Sequence, residues 1–239
     1  MIHVEPHVDL EGCCRRAADV VLERRASHEH FVLGVATGAS TEPLHRMLVA
    51  DGLDPRGLHL VLLDEYLGLH ADDPRRFRHQ IEQSLAGPLG IPAERVLCPP
   101  APGDGSEPTT EALAEFEARL VAWGGVDVQI LGIGTNGHVA FDEPGSHRGS
   151  RTRAVSLHRS TRLASAAAFG GATDVPRRAV TQGIATILDS RAVILIASGP
   201  SKRAALHGML HSPPTCWLPA SLLSDHPDVL VLADAPALG

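Results

Sequence analysis

The sequence predicts an α/β fold of three layers, in which helices cover both faces of a mostly parallel central sheet. Two observations lead to this prediction: apolar runs rich in β-branched residues recur along the chain, and helical patterns lie between them. Strands that read as continuous apolar runs are buried on both faces, as in a parallel sheet packed between helices. Alternating strands and helices are then joined by right-handed crossovers.

The predicted elements follow one another in a regular order. The strands are FVLGVA (31–36), LHLVLL (58–63), VDVQILG (126–132), AVILIA (192–197) and VLVLA (229–233). The helices cover 10–27, 41–51, 75–86, 109–123, 175–188 and 201–210. The Pro- and Gly-rich stretch 99–108 is a predicted surface loop, and no change of composition marks a linker. The sequence therefore predicts a single domain over 1–239.

One long connection, at about 147–176, is predicted to form a lid-like segment. It holds several arginines and the small-residue run ASAAAFGGA. A long connection in a compact domain is often a lid or a binding loop, and a solvated surface excursion is the alternative.

The composition excludes several kinds of partner. Of the 239 residues, 44% are hydrophobic, which is enough for one sizeable core. The net charge is −7 and the basic residues are not gathered with aromatics, so nucleic acid is not expected as a partner. No apolar run approaches the roughly 20 residues that span a bilayer, and the first residues lack a signal-peptide pattern. We expect a cytoplasmic protein without a membrane partner, and a homo-oligomer stays open.

Neither a metal site nor a disulfide is predicted. The four cysteines show no CxxC spacing, which favours reduced, structural thiols. The fourteen histidines include no H-E-x-x-H pattern.

The turn after the strand FVLGVA is a candidate phosphate site. It reads Thr37, Gly38, Ala39, Ser40 and Thr41, and a helix follows. In an open parallel sheet, ligands bind at the carboxyl ends of the strands. A glycine turn at a helix start presents backbone N–H groups and a positive dipole end, which together bind phosphate. The alternative is a plain helix N-cap.

Two further strand ends carry candidate side chains. Asp64, Glu65 and Tyr66 follow LHLVLL, and a carboxylate there is a candidate general base, with Asp64 as a turn cap as the alternative. Lys202 lies in the first turn of a helix after AVILIA. A cation there opposes the helix dipole unless an anion lies in front of it, so Lys202 is a candidate phosphate ligand or else a surface lysine.

The stretch LGIGTNGHVAFDEPGS (131–146) contains a G-x-G-x-x-G spacing that on its own suggests a dinucleotide. A crossover helix does not fit between Gly137 and the Pro-Gly pair that follows, so we interpret Gly134 and Gly137 as a backbone platform for another ligand. His138 can move protons near neutral pH, and Glu143 would fix its tautomer. The alternative is a histidine that merely bonds a loop carbonyl.

These motifs resemble those of the glucosamine-6-phosphate deaminases. LDEYLGL, LGIGTNGHVAFDEPGS, SRTR, VPRRAVTQGIATILDS and GPSKRAAL occur in the family's order, from about the first helix to near the C-terminus. Related sugar-phosphate lactonases share the fold but lack the F-x-E-P-G-S continuation. The resemblance implies a modified Rossmann-like sandwich. It also implies an enzyme of the hydrolase class, an aldose–ketose isomerase and deaminase that converts an amino-sugar phosphate to a ketose phosphate and ammonia without metal or cofactor.

The resemblance also implies a role for each candidate. Asp64 would take the proton from C2 and return it at C1, His138 would open the pyranose ring, and Glu143 would support His138. The turn from Gly38 to Thr41 would hold the substrate phosphate together with Lys202.

Two departures from the family concern the acid/base group. Asn136 lies where the family has an aspartate beside the histidine, and its amide is expected to accept a hydrogen bond from the imidazole of His138 without offsetting its charge. Asp142 replaces the family's usual asparagine, which suggests that Asn136 and Asp142 have exchanged roles.

A third departure concerns the phosphate. Ala167 lies near the position of the family's phosphate-binding arginine, and the loss of that guanidinium is expected to weaken binding by about 1.5–3 kcal/mol unless another arginine replaces it. The candidates for that replacement are Arg162, Arg177 and Arg178.

Two rival functions remain open. One is a lactonase or isomerase of the same fold that acts on a modified or non-phosphorylated sugar, which Asn136 and Ala167 would favour. The other is a sugar-phosphate sensor without catalysis. The family's allosteric positions match poorly, so such regulation is not predicted.

Overall fold

The computed structural model describes residues 2–239. Its strands are β1 (Ile2–His7), β2 (Phe31–Val35), β3 (Leu58–Leu62), β4 (Asp64–Tyr66), β5 (Val96–Leu97), β6 (Val128–Gly132), β7 (Arg153–Ser156), β8 (Arg178–Thr181), β9 (Val193–Ala197) and β10 (Val229–Asp234). Its α-helices are α1 (Leu10–Ala26), α2 (Glu42–Ala50), α3 (Phe77–Ile81), α4 (Gly87–Leu89), α5 (Thr110–Ala122), α6 (Arg159–Ala164), α7 (Ala166–Phe169), α8 (Ile184–Leu188), α9 (Arg203–His211) and α10 (Ala235–Leu238).

Seven strands form the central sheet, in the order β1-β10-β9-β6-β2-β3-β5. Every neighbouring pair is parallel. Successive residues of β2 point to opposite faces: Leu33 belongs to the large core that includes α1 and α2, whereas Val32 packs with Phe116 of α5 on the other side. The predicted three-layer α/β fold with a mostly parallel sheet is therefore confirmed.

A second, antiparallel sheet lies beside the first and corrects one prediction. Its order is β4-β8-β7, with Asp64 opposite Thr181 and Thr181 opposite Arg153. The predicted helix 175–188 is wrong in its first half, where β8 lies, and only α8 is helical. Pairing of β8 with β4 and β7 overrides the helical pattern of the sequence here. After β8 the chain passes so close to Ser150 that a Cβ on Gly183 would lie 2.2 Å from the Ser150 carbonyl oxygen.

Other elements differ from the prediction for identifiable reasons. The edge strand β1 and the two-residue β5 were not predicted, because neither is a continuous buried apolar run. The helix predicted to begin at 75 begins at Phe77, where the carboxylate of Glu65 accepts the backbone N–H groups of Phe77 and Arg78 at 3.1 Å each. A π-helical turn, Glu82–Ala86, then joins α3 to α4.

The lid-like segment contains more regular structure than its composition indicated. It includes β7 and the short helices α6 and α7. Across residues 2–239, no helix is long and apolar enough to cross a membrane.

Candidate active site

A cavity of about 780 Å³ lies at the carboxyl ends of the central strands. Side chains and loops that follow β2, β3, β6 and β9 meet there, as expected for an open parallel sheet. Of the predicted site residues, the lining includes Thr37, Gly38, Ala39, Ser40, Thr41, Asp64, Gly134, His138 and Lys202. The lid-like segment closes another side with Ser160, Thr161, Ala164, Ser165, Ala167, Ala168 and Phe169.

The turn after β2 is built to approach a ligand with its backbone. Gly38 has φ +113°, in the left-handed region, and no atom lies within 4 Å of where its Cβ would be. Thr41 precedes α2, but its side chain makes no cap: its Oγ1 donates to the Ala36 carbonyl at 2.9 Å. The plain N-cap alternative therefore does not describe Thr41.

Lys202 lies beside this turn in the same cavity. It ends a 3₁₀ turn just before α9, and no carboxylate of the described residues pairs with it. Burial lowers its pKa, because the charged ammonium loses water without gaining an anion. A phosphate group would restore that missing interaction.

The adjacent carboxylates of Asp64 and Glu65 have different environments. Glu65 is fully buried, and its oxygens accept hydrogen bonds from the backbone of Tyr66, Phe77 and Arg78, so its role is structural. Asp64 faces the cavity. Burial raises its pKa well above the usual aspartate range, and the nearby charges of Glu65 and Asp142 raise it further.

His138 reaches the cavity because Gly134 leaves room for it. A Cβ on Gly134 would lie 2.3 Å from the imidazole, so only glycine allows this ring position. His138 Nδ1 lies 3.5 Å from Glu143 Oε2 and 3.3 Å from Thr161 Oγ1. Sequence analysis did not identify Thr161, because no local pattern indicates that the lid-like segment meets this loop.

Glu143 remains ionised beside His138. Burial alone would raise its pKa, but hydrogen bonds from His138, Thr161 and Asn136 lower it from 4.5 to about 2. Its Oε1 also accepts the backbone N–H of His158 at 3.0 Å. Glu143 therefore supplies a fixed negative charge to the imidazole of His138. Through His158 it also joins the lid-like segment to the loop that carries His138.

The contacts of Asn136 correct the prediction made from its sequence position. Its amide does not accept from the imidazole: Nδ2 donates to Glu143 Oε2 at 2.8 Å, and Oδ1 accepts the backbone N–H of His138 at 3.2 Å. Asn136 acts through Glu143 and lies outside the cavity lining. The suggested exchange of roles with Asp142 is also wrong, because Asp142 is buried and pairs with Arg153 at 2.7 Å.

Gly137 was predicted to bind substrate but lies outside the cavity lining. Its φ is +83°, and a Cβ there would lie 2.1 Å from Leu218 Cδ1. Its role is therefore to turn the loop beneath His138.

Replacing Asn136 by aspartate is expected to impair the site. The new carboxylate would face the ionised Glu143 across the 2.8 Å contact, and no lysine or arginine of the described residues pairs with Glu143. We expect a loss of about 1–3 kcal/mol in the free energy of unfolding at neutral pH and about a tenfold loss of kcat/KM. Asn136→Ala, which removes the bond without adding charge, is the control and should lose less. An Asn136→Asp variant with undiminished stability and activity would contradict this geometry.

None of the arginines proposed to replace the missing guanidinium lines the cavity. Arg162, Arg177 and Arg178 lie outside it, and Arg178 pairs with Glu107. Ala167 does line the cavity, so this part of the wall carries no charge; that it occupies the position of the family's arginine stays a prediction.

Within residues 2–239, no group of three His, Cys, Asp or Glu side chains is placed to hold a metal ion. That the reaction needs no metal or cofactor stays a prediction.

Known proteins resemble this chain over nearly its whole length. A family model described as glucosamine-6-phosphate isomerases/6-phosphogluconolactonase matches residues 9–231. A glucosamine-6-phosphate deaminase of Geobacillus sp. (strain WCH70) is 38% identical over 232 residues, which are 95% of this chain and 91% of the relative. The corresponding protein of Mycolicibacterium smegmatis is 41% identical over 227 residues, covering 92% of this chain and 85% of the relative.

Solved structures give the same picture. A monomeric glucosamine-6-phosphate deaminase superposes with a TM-score of 0.91 at 33% identity, covering 98% of each chain. A 6-phosphogluconolactonase from Trypanosoma cruzi superposes with a TM-score of 0.79 at 19% identity, over 99% of this chain and 96% of the other. At this low identity, the similarity to the lactonase shows only that the two proteins share a fold.

Proposed function

Because this chain belongs to the family of glucosamine-6-phosphate isomerases and 6-phosphogluconolactonases, we propose that it is a deaminase acting on glucosamine 6-phosphate or a close relative. The products would be fructose 6-phosphate and ammonia. The observation that carries the proposal is the meeting of Asp64, His138 and Lys202 in one cavity with the turn Thr37–Thr41. In the roles that we propose for them, these residues would act as a base, a proton-transfer group and a phosphate site around one small sugar.

His138 would open the pyranose ring by transferring a proton from the hydroxyl at C1 to the ring oxygen. Glu143, held ionised by its neighbours, would fix the imidazole and offset its charge when it is protonated. The open-chain substrate then has an aldehyde at C1 and the amine at C2.

Asp64 would carry out the isomerisation. Its carboxylate takes the proton from C2 while the C1 oxygen gains a proton from water, which gives an enol with its hydroxyl at C1 and the amine still at C2. Asp64 then returns its proton to C1 and the amine nitrogen gives up a proton to water. The resulting imine at C2 adds water and releases ammonia, so one water is consumed for each ammonia formed. Phosphate held by Lys202 and the turn after β2 anchors the far end, and its binding energy orients the reacting carbons.

One assay tests the proposal. The purified protein is incubated with glucosamine 6-phosphate, with glucosamine and with 6-phosphogluconolactone, and ammonia and ketose phosphate are measured together. We expect both products in equal amounts from the phosphorylated amino sugar. Turnover of the lactone or of unphosphorylated glucosamine alone would favour the rival enzyme of the same fold. Stabilisation on heating without any turnover would favour a sensor.

We expect kcat/KM to fall on the acid side with a midpoint above the usual aspartate pKa of about 4. The sign follows from the role of Asp64: a base works when deprotonated, and burial and neighbouring charge keep it protonated to higher pH. Asp142→Asn removes one of those charges and should move the acid limb to lower pH. Titration of the substrate affects the wild type and Asp142→Asn equally. A difference between their pH profiles therefore reports on a group of the enzyme. An unmoved limb would show that Asp142 does not act on Asp64.

The predicted cytoplasmic location belongs to the same proposal, as does a sugar phosphate as the small-molecule partner. Neither the oligomeric state nor an allosteric effector is proposed.

A further inference from the structure

Two basic side chains other than His138 line the cavity among residues 2–239: Lys202 and Arg75. They come from distant parts of the sequence and bound the same space. A phosphate monoester carries close to two negative charges at neutral pH. A single half-buried lysine leaves part of that charge unpaired, so a second cation in the same cavity is of functional interest.

Arg75 is held in place from two sides. Its Nε donates to Asp73 Oδ1 at 2.8 Å and its Nη2 to Asp73 Oδ2, which together form a fork. Its guanidinium lies over the ring of Phe169, 4.9 Å from the centroid. Hydrogen bonds from Arg75 lower the pKa of Asp73 to about 2, so the fork stays charged over the physiological range.

The two hydrogen bonds to Asp73 leave other N–H donors of the Arg75 guanidinium without a partner in this pair. A guanidinium has five N–H groups, and the two bonds to Asp73 leave three of them, including both on Nη1, for another acceptor. Planar guanidinium groups bind phosphate through two parallel N–H bonds. Phe169 is a near neighbour in sequence of Ala167, so Arg75 borders the part of the cavity wall that lacks a charged side chain.

We infer that Arg75 is a substrate-binding residue that contacts the phosphate and makes the site specific for the phosphorylated sugar. This inference rests on the proposed function. On this inference, Arg75, which lies just before α3, supplies the positive charge that the side chain of Ala167 lacks. The alternative is that the Arg75–Asp73 pair only stabilises a loop, since Arg75 is partly exposed.

The test compares Arg75→Gln with Arg78→Gln. Arg78 is a matched control, because it is similarly exposed, also pairs with a carboxylate (Glu82, at 2.8 Å), and lies outside the cavity lining. For Arg75→Gln we expect KM for glucosamine 6-phosphate to rise by roughly 10- to 100-fold, with kcat changed much less. Any turnover of unphosphorylated glucosamine should be unaffected. Arg78→Gln should match the wild type.

A second arm measures binding of inorganic phosphate and of 2-amino-2-deoxyglucitol 6-phosphate, an open-chain analogue, by calorimetry. Both should bind Arg75→Gln more weakly, and Arg75→Gln/Ala167→Arg should recover part of the affinity. Equal affinity of the wild type and Arg75→Gln would overturn the inference. These measurements need no turnover, so a wild type that binds phosphate through Arg75 but releases no ammonia would overturn the proposed function alone.

Discussion

Asp64→Asn is expected to lower kcat by about 10²- to 10⁴-fold, the usual contribution of a positioned general base, while the protein remains folded. Asparagine keeps the shape of the side chain but cannot take the proton from C2. The midpoint of thermal unfolding should rise, because the wild-type carboxylate is held near Glu65 and Asp142 with its pKa raised. Kinetics and thermal unfolding of the same preparation check both effects.

The stability gain of Asp64→Asn has a defined pH dependence. A carboxyl group whose pKa is raised on folding weakens the folded state once pH exceeds its unfolded pKa of about 4. The gain over the wild type should therefore appear above that pH and vanish below it. Glu65→Gln is the control: it disturbs three bonds from backbone N–H groups, so it should lower the unfolding temperature. If Asp64→Asn keeps wild-type turnover, Asp64 is not the base.

The sequence predicted the parts of the site that topology alone brings together. Asp64, His138 and Lys202 follow different strands of one parallel sheet, and parallel strands place their carboxyl ends on a common edge. Their meeting therefore required only that the strands be identified. The same reasoning gave the turn after β2.

Strand topology does not predict contacts that depend on the direction in which a side chain points. Asn136 and Glu143 are seven residues apart, and nothing in their spacing tells that the amide points to the carboxylate and away from the imidazole. Asp64 and Glu65 are adjacent carboxylates, and the short strand β4 decides which one faces the cavity. No sequence pattern distinguishes Arg75 from a surface arginine, because its contact with the Phe169 ring forms only in the folded chain.

The second large effect is expected for Glu143→Gln. The neutral amide would lose the charge that balances imidazolium and would present a donor where Asn136 Nδ2 already donates. By analogy with loss of the orienting carboxylate in a catalytic triad, kcat should fall by roughly 10²- to 10⁴-fold. Affinity for the open-chain analogue should change little, because that ligand needs no ring opening. A parallel loss of binding and turnover would point to collapse of the loop instead.

Glu143→Gln should also destabilise the protein, with a pH dependence opposite to that of Asp64→Asn. The pKa of Glu143 falls from 4.5 to about 2 on folding, which corresponds to about 3 kcal/mol of stability. That contribution is complete above the unfolded pKa and is lost as pH falls through the folded one. The deficit of Glu143→Gln should therefore be largest at neutral pH and disappear towards pH 2.

A double-mutant cycle then separates the two carboxylates by function. If Glu143 acts only through His138, adding Glu143→Gln to His138→Gln should cost little further activity, since residues that act as a unit are not additive. Adding Asp64→Asn to His138→Gln should cost more, because Asp64 serves a different proton transfer. The protein environment moves the pKa values of Asp64 and Glu143 in opposite directions, which supports the proposal that the raised group transfers protons and the lowered one supplies a supporting charge.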